Sequence, residues 1–294
     1  MDFQEYLEAR RADIEAALAA VLPPPPDCPQ GVADAMRYSL TAGGKRLRPV
    51  LCLASADAVG GERALAMPAA CALELIHTYS LIHDDLPSMD DDTMRRGRPT
   101  LHVVAGEGMA ILAGDGLLTE AFALMARAPV SSDPVVQARK LRVISIIATA
   151  AGATGMVGGQ ALDLAGGAEG EELRLMHGKK TGALIRAAAT SGAVMGGADN
   201  ATIARIDEAA ADLGLAFQIV DDILDVEGVP AAIGKTAGKD AAAGKPTYPS
   251  RYGLDGARRL AVECLERAEG HLRDARLADS HLMAIGRWIV NRSH

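Results

Sequence analysis

Three carboxylates fall within five positions of one apolar segment, Phe217–Asp225, which reads FQIVDDILD. On a helix, Asp221 and Asp225 stand one turn apart, their Cβ atoms about 5–6 Å from each other, and Gln218 lies one turn before Asp221 on the same face. Aspartate is a mediocre helix former, and charge inside an apolar helix costs stability unless something compensates it. Burying such a helix makes sense if a cation and its ligand occupy the space along its acidic side.

A second acidic concentration lies far upstream. In HTYSLIHDDLPSMDDDTMRRGRPT, His77–Thr100, the aspartates Asp84, Asp85, Asp90, Asp91 and Asp92 precede the pair Arg95–Arg96. A helix puts His77, Leu81 and Asp84 on one face. Pro87 disfavours helical geometry at Leu86, so the helix should end at Asp84–Asp85, with Asp90 coming back from the following turn. Crowded carboxylates repel, and some would protonate without a counter-ion. Mg²⁺ resolves the conflict, because it prefers oxygen ligands, keeps several waters and is shared between one or two carboxylates and substrate phosphates. A solvated acidic loop is the plainer meaning of such a run. Two acidic clusters at helical positions fit opposite walls of one metal-holding cavity better. A calcium loop starting at Asp84 fails, since it needs Gly and Glu where the chain has Met89 and Arg95.

Around these clusters the chain reads as helix throughout. Periodic or apolar segments cover 2–22, 31–42, 47–59, 64–86, 107–128, 134–165, 171–197, 201–227 and 254–275, separated by Gly, Pro or Asp-rich breaks. No alternating β pattern of useful length interrupts them, and aromatic residues are only 3%. The expectation is an all-α fold, a single-domain helical bundle spanning residues 1–294. Net charge of −8 argues against nucleic acid or an anionic membrane as partner. Cys28, Cys52, Cys71 and Cys264 are scattered without a C-x-x-C spacing, which suits reduced thiols in the cytoplasm. The opening MDFQEYLEARR lacks the apolar core of a secretory signal. Val143–Leu162 carries no charge and is long enough to span a bilayer. Its glycines and its flanking Arg142 and Asp163 favour a buried core helix instead, so stable membrane insertion is not expected.

Four basic patches interleave with the acids. GGKRLRP (Gly43–Pro49) gathers Lys45, Arg46 and Arg48; Arg95 and Arg96 follow the first cluster; HGKKTGALI offers Lys179, Lys180 and Thr181; and 234–249 supplies Lys235, Lys239 and Lys245. Arg and Lys give charge-assisted hydrogen bonds to phosphate. Together with two carboxylate clusters they suggest a site for two anionic groups, one bridged by metal and one held by cations directly. A nucleotide P-loop is absent from the sequence.

At these residues the chain resembles the short-chain trans-polyprenyl diphosphate synthase family, most closely its bacterial farnesyl-producing form. GGKRLRP, HTYSLIHDD, RRGRPTLH, KTGAL, FQIVDDILD and GKTAGKD occur in the family's order over nearly the full chain. DDLPSMD matches the first aspartate-rich motif, with two extra residues before the last Asp, and DDILD matches the second. The resemblance implies an all-α fold around a deep central cavity, a homodimer, and head-to-tail addition of isopentenyl diphosphate to an allylic diphosphate. It implies three Mg²⁺ ions. Asp84 and Asp90 would hold two with support from Asp85, and Asp221 the third with Asp225 near it. Arg95, Lys180 and Lys235 would bind the allylic diphosphate, with Thr181 and Gln218 at its reacting end. Lys45, Arg48, His77 and Arg96 would bind isopentenyl diphosphate, and Lys245 would stand at the mouth of the site.

The resemblance also bears on product length. Tyr79, five residues before Asp84, lies about 7–8 Å back along the helix axis, and an aromatic there with the two-residue insertion marks the C15 enzymes. Ser80 lies closer to the Asp84 face by simple geometry. The expectation is farnesyl diphosphate, with C20 geranylgeranyl diphosphate as the alternative. A catalytically silent partner subunit would typically lose an aspartate motif, and a terpene cyclase would not require the second diphosphate site.

Overall fold

The structure is a computed structural model and describes residues 1–166, 170–228 and 247–292. Helices α1 (Phe3–Val21), α2 (Gln30–Leu40), α3 (Leu47–Ala58) and α4 (Arg63–Asp84) lead to a small antiparallel hairpin, β1 (Met94–Arg95) and β2 (Arg98–Pro99). There follow α5 (Leu101–Ala105), α6 (Glu107–Arg127), α7 (Pro134–Ala151), α8 (Met156–Ala165) and α9 (Glu171–His177). A π-turn at Gly178–Gly182 precedes α10 (Ala183–Gly196), α11 (Asn200–Val226), α12 (Tyr248–Asp274) and α13 (His281–Asn291). The fold is all-α, as expected.

Local chemistry sets the helix starts. Asp2 and Glu5 form a reciprocal capping box on α1. Asp133 accepts from the Val135 N–H while Pro134 occupies the first turn of α7. Asp199 and Ser280 cap α11 and α13 in the same way. Three expected segments differ from the reading above. The 134–165 segment breaks into α7 and α8 at Gly152–Gly155, the 171–197 segment is interrupted by the π-turn, and the last long helix begins at Tyr248 with a non-helical Gly253 inside it. Glycine is the shared reason, since it gives helical backbone the freedom to break.

The core centres on α3, α4 and α10, whose Leu51, Leu53, Leu73, Leu75, Ile76 and Leu184 are fully buried. The α3 and α10 backbones touch, because a Cβ on Gly192 would fall 1.9 Å from the Cys52 carbonyl oxygen. A second apolar group joins Ile219, Ile223 and Leu224 of α11 to Ala257, Ala261 and Cys264 of α12. All four cysteines are buried and unbridged.

The uncharged stretch is not the buried helix expected of it. By length and composition alone, Arg63–Asp84, Glu107–Arg127 and Pro134–Ala165 are each apolar enough to cross a membrane. Over an 18-residue apolar stretch of each, 67% of the first is buried within the bundle, whereas only 39% and 33% of the other two are. Val103 and Val104 of α5, Ile111 and Leu112 of α6 and Leu141 of α7 stand exposed.

Candidate active site

The end of α4 behaves as its proline demands. The helix stops at Asp84, and the loop folds back so that the Asp90 N–H donates to the Asp84 carbonyl at 2.9 Å and the Asp92 N–H to the Asp85 carbonyl at 3.2 Å. Asp90 is thereby returned beside Asp84. Asp85 turns the other way. It is buried and grips Arg95, whose Nε donates to both carboxylate oxygens at 2.8 Å and whose Nη2 donates at 2.5 Å. Asp92 stands 3.7 Å from the same guanidinium. Asp85 and Arg95 were expected on metal and diphosphate respectively; in this structure each is engaged by the other.

The hairpin and the GGKRLRP loop meet beside this pair. A two-residue turn, Arg96–Gly97, closes β1 to β2 with both residues at positive φ. The Arg96 guanidinium bonds the Gly43 carbonyl and lies against Gly44, where a Cβ would come within 2.7 Å of it. Arg46, Asp91 and Arg96, all non-glycine, adopt left-handed backbone in the loops around this site. Such conformations persist where the surroundings over-determine them, and they gather at functional sites.

The three cations of GGKRLRP do different things. Arg46 is a structural residue. It donates to Glu15 at 2.7 Å, to buried Glu74 at 2.7 Å and to the Leu40 carbonyl at 2.7 Å. Its backbone carbonyl accepts from Val50 and so starts α3. Lys45 and Arg48, on either side, reach Asp221 electrostatically. Arg48 keeps an unpartnered, buried Nε. Burial lowers the pKa of Lys45, and Arg292 adds to the effect. Burial likewise lowers Arg48 and Arg96. His77 lies well below the usual histidine value, first through burial and then through Arg48, Arg96, Arg95 and Arg46. It is a neutral imidazole in a basic pocket, able to donate one hydrogen bond but adding no charge.

The opposite wall is the π-turn and α11. A π-turn inside an otherwise α-helical run marks functional positions often, and this one carries Lys180 and Thr181. Backbone packs directly on it from two sides. A Cβ on Gly159 would lie 2.2 Å from the Lys180 nitrogen, and one on Gly214 would lie 3.1 Å from the Gly182 Cα. Lys180 pairs with Asp163 at 2.6 Å. Burial opposes its charge, but Asp84, Asp163 and Asp90 outweigh that and raise its pKa. Thr181 Oγ1 donates to Gln218 Oε1 at 3.3 Å, and Gln218 Nε2 donates to Asp222 Oδ1 at 2.9 Å. Lys179 turns aside to the Thr154 carbonyl.

FQIVDDILD divides its carboxylates between two tasks. Asp222 is buried and accepts the Tyr248 N–H at 3.0 Å, tying α12 to α11. Asp225 is buried one turn beyond Asp221. Asp221 is only partly buried, its side chain keeping 36% of its surface accessible. Burial raises its pKa, against the pull of Arg292, Lys45 and Arg48. The two acidic clusters are thus linked on one side through Lys180, Thr181 and Gln218, and on the other through Arg48, His77 and Arg95. Lys235 and Lys245 lie outside the described residues. The reading of the sequence missed Asp163, Glu74 and Arg292. Asp163 was visible only as the acid closing the uncharged run, and Arg292 belongs to none of the motifs.

The donor set suits a hard cation, being carboxylate oxygen throughout. Among the described residues, no group of three His, Cys, Asp or Glu side chains could hold an ion alone. Mg²⁺, which completes its shell with water and substrate phosphate, needs only one or two such carboxylates.

The polyprenyl synthetase family model matches residues 29–277. A farnesyl diphosphate synthase of Geobacillus stearothermophilus is 45% identical over 100% of this chain and 99% of its own. The heterodimeric geranylgeranyl pyrophosphate synthase large subunit 1 of Arabidopsis thaliana, chloroplastic, is 47% identical over 92% of this chain and 74% of its own. Among solved structures, an FPP/GFPP synthase from Zymomonas mobilis superposes with a TM-score of 0.85 at 37% identity, covering 98% of each chain.

Proposed function

The chain belongs to the polyprenyl synthetase family, and from that premise we propose that it joins isopentenyl diphosphate to dimethylallyl or geranyl diphosphate, releasing farnesyl diphosphate. The observation that carries this reading is the reach of Lys180 to Asp84 and Asp90 while its neighbour Thr181 bonds Gln218, one turn from Asp221. One substrate's diphosphate placed there lies between both acidic clusters. Asp84, Asp90 and Asp221, with Asp85 and Asp225 behind them, would hold three Mg²⁺ ions, which would supply Lewis-acid neutralisation of the departing diphosphate. Lys180 and Arg95, with Lys235, bind that allylic diphosphate. Lys45, Arg48, Arg96 and neutral His77 receive the isopentenyl diphosphate beside it. The carbonyls of Lys180 and Thr181 and the Gln218 amide oxygen would stabilise the carbon that becomes cationic as the C–O bond breaks. Preorganised dipoles of this kind act most strongly where water is excluded. The isopentenyl double bond attacks that carbon, and the proton lost afterwards passes to the released diphosphate.

Tyr79 is the candidate floor. It is 7% exposed, and its ring stands edge-on to His83 at 5.7 Å between centroids. His83 Nε2 in turn lies 3.2 Å from the Ile111 carbonyl of α6. Ser80 is committed to the His77 carbonyl at 2.9 Å. Incubation with Mg²⁺, isopentenyl diphosphate and geranyl diphosphate, then phosphatase and sizing of the alcohols, should give C15 for the parent. Tyr79→Ala should shift the main product to C20 or longer. An unchanged distribution assigns the ring to packing, and a C20 product from the parent establishes the second reading, geranylgeranyl diphosphate synthesis.

The enzyme acts in the cytoplasm as one domain and as a homodimer. The exposed apolar residues of α5, α6 and α7 form the surface that a second copy would cover. Light scattering after size exclusion should return twice the 30.5 kDa chain mass, and Leu112→Glu should lower it to the monomer value.

A further inference from the structure

His83 has no part in the chemistry above, yet neighbours hold it on several sides. It stands one turn after Tyr79 on the same face of α4. The two rings meet edge-on, with 81° between their planes. On its other side His83 reaches the main chain of α6, where its Nε2 meets the Ile111 carbonyl. A carbonyl only accepts, so that nitrogen carries the hydrogen and donates it. The Asp115 carboxylate stands 4.0 Å from the same nitrogen. A side chain touches the backbone of a packed helix only where that helix lacks a side chain of its own, and Gly114 provides the gap. A Cβ on Gly114 would fall 2.2 Å from His83 Nε2 and 2.6 Å from its Cδ2. The imidazole therefore bridges the Tyr79 ring and the backbone of α6.

We propose that His83 is a positioning residue for product length. Anchored on α6 through the Gly114 gap, it holds the Tyr79 ring across the end of the space that receives the growing tail. The inference rests on reading Tyr79 as the floor. A tyrosine on a helix has more than one favoured χ1 rotamer, and the one it keeps depends on what stands beside it. With His83 in place, a tail pressing on the ring must also move an imidazole bonded to main chain. Without His83, the ring can turn aside and admit a further isoprene unit. Product length is then set jointly by Tyr79, by His83 and by the side chain that Gly114 lacks.

The test incubates the whole chain with Mg²⁺, isopentenyl diphosphate and dimethylallyl diphosphate, then sizes the alcohols released by phosphatase. Ratios compared at equal consumption of isopentenyl diphosphate do not depend on how much of a variant is folded. His83→Ala, with Tyr79 kept, should raise the C20-to-C15 ratio up to about tenfold, the factor that one edge-on aromatic contact corresponds to. Gly114→Ala should act in the opposite sense, its methyl driving the imidazole towards Tyr79, and raise the C10-to-C15 ratio by a similar factor. In the double variant that methyl meets no ring, so its products should match those of His83→Ala. Unchanged ratios in His83→Ala, with a longer product from Tyr79→Ala, overturn the role of His83 and leave the floor standing. A Gly114→Ala shift that persists in the double variant overturns the anchoring on α6. Unchanged ratios in Tyr79→Ala remove the floor, and the proposal with it.

Discussion

Asp84→Ala is expected to lower kcat by at least about three orders of magnitude, the scale of removing one electrostatic stabiliser of a transition state and more. The unfolding midpoint should barely move. Asp84 ends α4 at the point where Asp90 folds back, and its carboxylate supports Lys180 from across the site. Removing it relieves crowding among acids, so little stability is lost in the substrate-free chain. Asp221→Ala should be equally inactive but less benign. It strands the buried Arg292, so its midpoint should fall while that of Asp84→Ala holds. Steady-state kinetics and thermal melts on the two variants measure both halves. An active Asp84→Ala enzyme would remove Asp84 from the machinery.

The second large effect is structural. Glu74→Gln should destabilise the fold by about 3–5 kcal/mol, as breaking one side of a buried ion pair does. Glu74 is 1% exposed, and its partner Arg46 is 3% exposed. Arg46 holds α1, through Glu15, against α4, through Glu74, and its left-handed backbone starts α3. Replacing both partners by apolar residues, as in Arg46→Met with Glu74→Leu, should restore part of the loss, because the buried pair itself then leaves no charge behind, although Glu15 loses Arg46 and Arg48 loses the field of Glu74. Urea denaturation of the single and double variants gives the comparison. A Glu74→Gln chain as stable as the parent would show that Arg46 finds enough support in Glu15 and the Leu40 carbonyl alone.

The helices were legible because apolar periodicity and caps are local signals. The first acidic turn was legible because Pro87 dictates where α4 can end. Asp221 announced itself by standing charged in an apolar helix. What escaped depends on distance in space. Nothing in GGKRLRP says that its middle arginine anchors the loop while its neighbours face the cavity; that follows from Glu15 and Glu74 on two other helices. The same holds for Asp222, which looked like a member of the cluster and serves α12, and for Arg292. The uncharged Val143–Leu162 stretch misled because an apolar run reports that water is avoided without saying whether the bundle or another molecule provides the cover.

The glycines that flank the π-turn have a wider meaning. At the end of the site where bonds change, Gly159 and Gly214 bring main chain against main chain, and main chain has no rotamers through which a neighbour could drift. The floor proposed for the far end is made of side chains, Tyr79 and His83, in edge-on contact. If Tyr79 is that floor, descendants of this sequence can retune how long a tail they accept by ordinary point substitutions, while the backbone packing around the π-turn stays the same.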